Sequence, residues 1–143
     1  MLNGRFMKVM WPLLMVAAGL SAAMALGAAQ RPAALAQTSG GLWEISGAPG
    51  ARAPLRMCVP DTSVLAQFEH RGRLCTRLVI SDAPPTTVIH YTCAGGGFGR
   101  SKMTVITPRS IRVETQGISD DLPFNYVIQA RRVGDCPQTA QRH

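Results

Sequence analysis

The sequence predicts a mainly β fold: an antiparallel meander forming a curled sheet or small barrel, with one short helix and two disulfides. Three observations predict it. From Gly41 onward, short alternating apolar segments are separated by Gly, Pro and Asp at close intervals, the signature of an all-β chain with tight turns. Four cysteines, Cys58, Cys75, Cys93 and Cys136, all fall in this part of the chain. Only one stretch, Thr62–Phe68, carries apolar residues (Val64, Leu65, Phe68) at helical spacing.

The chain has 143 residues, enough for one domain. Its first 36 residues read as a signal peptide, and residues 37–143 as a single disulfide-bonded β domain. Arg5 and Lys8 open the segment, and Val9–Gln30 then holds no charged residue, the order of a secretory signal. Two small-residue cleavage sites follow. Cleavage after Ala36 is preferred, because Pro32 breaks the apolar helix just before Ala34-Leu35-Ala36; cleavage after Ala29 is the alternative. The expected location is periplasmic or secreted. The uncharged run is also long enough to cross a bilayer, so membrane association is expected only through this segment, if it stays uncleaved. Removing residues 1–36 takes away Arg5, Lys8 and Arg31 and lowers the net charge from +7 to +4.

The elements follow in order. Leu42–Ser46 and Leu55–Val59 are short strands, divided by the turn Gly47-Ala48-Pro49-Gly50. Asp61 or Thr62 caps the helix over Thr62–Phe68. Cys75–Ser81 and Thr87–Cys93 form a hairpin through Pro84, and Lys102–Thr107 and Ile111–Gln116 form another through Pro108-Arg109. Ile111, Val113 and Thr115 alternate with polar neighbours, as in a half-buried antiparallel strand. Phe124–Val133 closes the fold, with Phe124, Tyr126, Ile128 and Ala130 on one face.

An even number of cysteines in an exported domain of this size reads as two disulfides. Cys75 and Cys93 lie symmetrically about Pro84, so a regular hairpin sets them opposite each other. That favours Cys75–Cys93 with Cys58–Cys136. The alternative is Cys58–Cys75 with Cys93–Cys136, which a one-residue bulge would promote.

Few residues carry chemistry. The cluster Gly95-Gly96-Gly97 lacks the residues of a phosphate loop or a dinucleotide fingerprint. His70 and His90 have no nucleophile or paired carboxylate beside them in sequence, and no thiol remains once the cysteines are paired. No catalytic residue, metal site or cofactor is expected. Asp120-Asp121 reads as a solvated turn before Pro123. Arg131 and Arg132 form a candidate anion patch. Aromatic residues make up 6% of the chain, too few to alternate with its basic residues as a nucleic-acid stacking platform, so no nucleic-acid partner is expected. Trp43, Tyr91 and Tyr126 are the candidate ligand-lining residues, should the sheet enclose a cavity rather than a solid core.

Gly41-Leu42-Trp43 resembles the G-x-W start of lipocalins, where a basic residue of a late strand covers the Trp. Arg131 or Arg132 would play that part here through a cation–π contact. Small periplasmic inhibitors of secreted metalloproteases share this start and present an N-terminal segment, which would be Gln37–Gly41. Together, Gly41-Leu42-Trp43-Glu44, the four cysteines and the closing Ala130-Arg131-Arg132-Val133-Gly134-Asp135-Cys136 resemble the bacterial exported family catalogued as domain of unknown function 3617. The resemblance implies an exported, disulfide-bonded β domain and transfers no functional residue. The expected function is that of a non-enzymatic periplasmic domain that binds a small apolar ligand or an envelope protein. A protein-interaction or protease-inhibitor module is the alternative, and an enzyme of unknown type comes third.

Overall fold

The computed structural model describes residues 31–138. The predicted signal helix lies outside the described residues. Seven strands form one antiparallel sheet: β1 (Gly41–Ser46), β2 (Leu55–Val59), β3 (Cys75–Ala83), β4 (Thr86–Cys93), β5 (Phe98–Thr107), β6 (Ser110–Ser119) and β7 (Leu122–Gly134). Their order across the sheet is β2-β1-β7-β6-β5-β4-β3. The sheet does not close, so of the two predicted forms the open sheet is the one found. β2 and β3 are its free edges.

Turn chemistry sets the registers. Asp120 and Asp121 both have positive φ, 49° and 62°, and Ser119 pairs with Leu122 around them. Two left-handed residues between paired strands make the turn whose twist matches a β hairpin, and Asp tolerates that conformation. Between β3 and β4 the turn is Pro84-Pro85, with Ala83 opposite Thr86. That centre is half a residue away from the one that would align the cysteines. A register shift between Val79 and Ser81 makes up the difference, and Cys75 pairs with Cys93. The bulge therefore restores the predicted pairing instead of destroying it.

Both disulfides form as favoured, Cys75–Cys93 and Cys58–Cys136. The first staples a hairpin, and the second ties edge strand β2 to the segment after β7. The sequence separations are 18 and 78 residues. Chain-entropy arguments give about 3–4.5 kcal/mol for loops of such lengths, more for the longer one. Paired cysteines also place the folded domain in an oxidising, extracytoplasmic compartment. Among the described residues no helix is long and apolar enough to cross a membrane.

The inner face of the sheet holds the core. Trp43 and Ile45 of β1, Ile89 of β4, Met103 of β5, Val113 of β6 and Ile128 of β7 are almost fully buried. Leu65 and Phe68 cover them from the helix. That helix, Thr62–His70, is a run of 3-10 turns, capped by Asp61, whose carboxylate accepts from the Ser63 N–H at 2.7 Å. Gln67 breaks its regularity (φ −102°, ψ 32°). Its amide is buried and held between the Arg73 carbonyl and the Arg77 guanidinium.

Ala33–Leu35, within the stretch read as the end of the signal peptide, form a 3-10 turn, and Leu35 is wholly buried in the core. Residues 31–36 read as the end of a signal because Ala34-Leu35-Ala36 offers a small-residue cleavage site just after Pro32. Their packing against the domain is a tertiary contact that no local pattern announces.

Candidate functional site

None of the principal depressions among the described residues is lined by Trp43, Tyr91 or Tyr126, the three predicted ligand-lining residues. Trp43 and Tyr91 are fully buried in a solid core. Trp43 donates its indole N–H to the Ser39 carbonyl at 3.3 Å. Tyr126 lies partly buried and donates its hydroxyl to Glu69 at 2.8 Å. Burial, reinforced by Glu69, pushes the Tyr91 phenol up to about 12. Burial and the Glu69 hydrogen bond push Tyr126 upward as well.

Beneath these rings runs a line of buried polar groups. The Ser101 hydroxyl donates to the Ala66 carbonyl and lies 2.8 Å from the Thr115 hydroxyl. Thr115 is hydrogen-bonded to Tyr91, and the Tyr91 hydroxyl lies 3.1 Å from Nδ1 of His70. Nε2 of His70 has no partner among the described residues and rests against Gly97, where a Cβ would collide with it. This line ties the helix to the sheet.

Tyr91 and Phe124 flank two paired glycines, Gly99 of β5 and Gly117 of β6. A Cβ on Gly99 would lie within 2.5 Å of the Tyr91 hydroxyl, and one on Gly117 would meet the Phe98 carbonyl and the Phe124 ring. The aromatic rings thus occupy the inner space that side chains would need, the usual cover for glycine within a sheet.

On the outer face the same glycines floor an open depression of about 410 Å³. Its polar wall is a cross-strand row, with His90 opposite Arg100, Arg100 opposite Gln116, and Gln116 opposite Asn125. Its apolar wall is Phe98 and Ile118, while the Phe124 ring lies behind Gly117 on the inner side. The Phe98 ring, 45% exposed, lies 6.2 Å from the His90 ring. A second depression of about 310 Å³ adjoins the first through Arg100, Gln116 and Asn125. There Glu114 neutralises Lys102 at 3.7 Å and Arg112 at 3.4 Å. No ion pair among the described residues involves Arg100 or His90. Positive charge and amide donors therefore face one apolar wall across a groove open to solvent.

The predicted anion patch is different. Arg131 pairs with Glu44 at 3.3 Å, and Arg132 donates to Asp135 at 2.6 Å and to the Gly40 carbonyl at 2.8 Å. Each thus has an acidic partner, although Arg131 shares Glu44 with Arg56. Consecutive strand residues point to opposite faces, and the two differ accordingly, with side chains 69% and 18% exposed. Arg132 stands opposite Trp43 in the β1–β7 ladder, but the cation–π contact among the described residues joins Arg71 to Phe68. Gln37–Gly41 is not presented to solvent as a projecting segment either, since Thr38 is 3% exposed and its hydroxyl bonds Thr62 at 2.7 Å.

Sequence reasoning set His90 aside for want of a catalytic partner and did not find the groove. Arg100, Gln116 and Asn125 are unremarkable singly, and only the strand registers bring them together.

These features define a class: an extracytoplasmic, disulfide-bonded domain built as one open antiparallel sheet with a filled interior. Comparison with protein-family models, curated proteins and solved structures finds no match to this chain.

Proposed function

We propose that the protein is an exported, non-enzymatic binding module that takes its ligand on the open outer face rather than inside the sheet. The ligand class is a small organic anion with an apolar body, such as a medium-chain fatty acid or an aromatic carboxylate. One observation carries this reading: Arg100, without an acidic partner among the described residues, stands beside His90, Gln116 and Asn125 opposite the apolar wall of Phe98 and Ile118. A guanidinium and amide donors suit a carboxylate, and exposed apolar surface suits the body behind it. The leader-like first 29 residues and the paired cysteines support export to the periplasm, and so does the resemblance to the four-cysteine family named above. The filled core argues against an interior ligand.

The test is a titration of isotope-labelled protein with decanoate and with benzoate, followed by amide NMR. Expected are shifts confined to β4–β7 around His90, Arg100 and Gln116, weakened about tenfold by Arg100→Ala, the loss of one charge-assisted contact. Shifts elsewhere, or none at millimolar probe, would sink the reading.

A second reading is favoured by edge strand β3. Leu78 is 62% exposed, Ile80 48% and Val79 38%, and the outer edge of β3 has no partner strand. An exposed apolar edge is a place where another chain can add a strand. This supports an envelope-protein partner. Pull-down from periplasm with wild type and with Ile80→Lys separates the two readings, because the groove lies on other strands.

A further inference from the structure

We infer that the chain is cut between Ala29 and Gln30, so that Arg31–Ala36 remain with the mature domain; this rests on the reading that the protein is exported. A small-residue site exists on either side of this segment. What separates them is how the intervening residues are held.

The segment is fastened at three points. The Asp82 carboxylate of β3 accepts from the N–H groups of Ala33 and Ala34, at 2.6 and 3.0 Å. Pro32, just before the turn, has no N–H to satisfy. Leu35 is fully buried against the core, and Ala34 is 5% exposed. The Arg31 guanidinium lies 2.6 to 3.1 Å from the Leu35 and Thr38 carbonyls and the Thr38 and Thr62 hydroxyls. It thereby gathers both ends of the segment and the start of the helix around one cation.

A cut after Ala36 would undo all three. It would strip the Asp82 carboxylate of both donors and leave a void the size of a leucine side chain beside the core. It would also set a new α-ammonium one residue from Thr38, which is 3% exposed, and a charge is costly to place against a buried site. A cut after Ala29 removes none of these contacts. Gly27 and Ala29 supply the small residues that such cleavage requires.

The experiment expresses the full chain from its own N-terminus in a Gram-negative host, fractionates the cells and measures the intact mass of the product. The expected product is periplasmic and begins at Gln30 or its cyclised form. Ala29→Leu should abolish its formation. Ala36→Leu, at an exposed position, should leave it unchanged. A periplasmic product beginning at Gln37 overturns the inference while leaving export intact. A full-length chain confined to the cytoplasm overturns the export reading and the inference with it.

Discussion

Nδ1 of His70 lies 3.1 Å from the Tyr91 hydroxyl, at one end of a buried line whose other end is the Ala66 carbonyl. That carbonyl can only accept, so it takes the single Ser101 proton. Which ring nitrogen of His70 carries the proton fixes the direction of the Tyr91 bond: an Nδ1–H donates to the phenol oxygen, and a bare Nδ1 accepts the phenol proton.

Long-range nitrogen–proton NMR of His70 checks this directly. An Nδ1–H signal means that His70 donates to Tyr91, and an Nε2–H signal means that Tyr91 donates to His70. Tyr91→Phe should leave Nδ1 without a partner and cost about 1–3 kcal/mol in chemical denaturation, the penalty of an unsatisfied buried polar group.

Alkaline pH provides a second test. The folded value of Tyr91, about 12, lies above its ordinary 10.0, so folding favours the neutral phenol. The resulting stability is fully present below about pH 10 and is lost as pH rises from there through about 12. Tyr91 and Tyr126 are the two tyrosines of the chain, and both are shifted upward. Tyrosinate absorbance should therefore be nearly absent from the native protein at pH 10–10.5, and should emerge at once when denaturant is added. Native protein showing half-ionised tyrosine near pH 10 would contradict the burial described.

The glycine pair is tested by Gly117→Ala. Its Cβ would be driven into the Phe98 carbonyl and the Phe124 ring, and backbone cannot give way as a flexible side chain can. A loss of about 1–3 kcal/mol is expected. Gly134→Ala, where a Cβ meets nothing within 4 Å, should change thermal stability little.

Asp82 caps the N-terminal turn from a distant strand, so Asp82→Ala should cost about 0.5–2 kcal/mol, as the loss of a helix cap does. Hydrogen exchange should quicken at Ala33 and Ala34 before it quickens in the sheet.

Much of the fold was legible because it is local. Alternation exposed the inner faces of β6 and β7, Asp61 announced its cap, and the symmetric spacing of Cys75 and Cys93 signalled their pairing. The last succeeded through two departures from regularity that cancel, a turn centred between Pro84 and Pro85 and a bulge before Ser81. The groove was harder. The turn at Asp120-Asp121 is enough to set Gln116 opposite Asn125, but joining Arg100 to that row needs the register shift between Val105 and Thr107. Tyr126 and Glu69 meet across 57 residues, and Leu35 reaches the core from within what reads as a leader. Contacts of that kind arise from the assembled sheet.

The strand order has one more consequence. β3 to β7 follow one another as neighbours, and the β1–β2 hairpin is then added beyond β7, with Leu42 opposite Gly134. The start of β1 and the end of β7 thus lie side by side. A circularly permuted chain, joined there by a short linker and opened between Gly72 and Leu74, would run β3 to β7 and on through β1 and β2 without a backward step. Every strand would then pair with its neighbour in sequence. The distant β1–β7 closure would become an ordinary hairpin, and folding should accelerate as the mean separation of contacting residues falls.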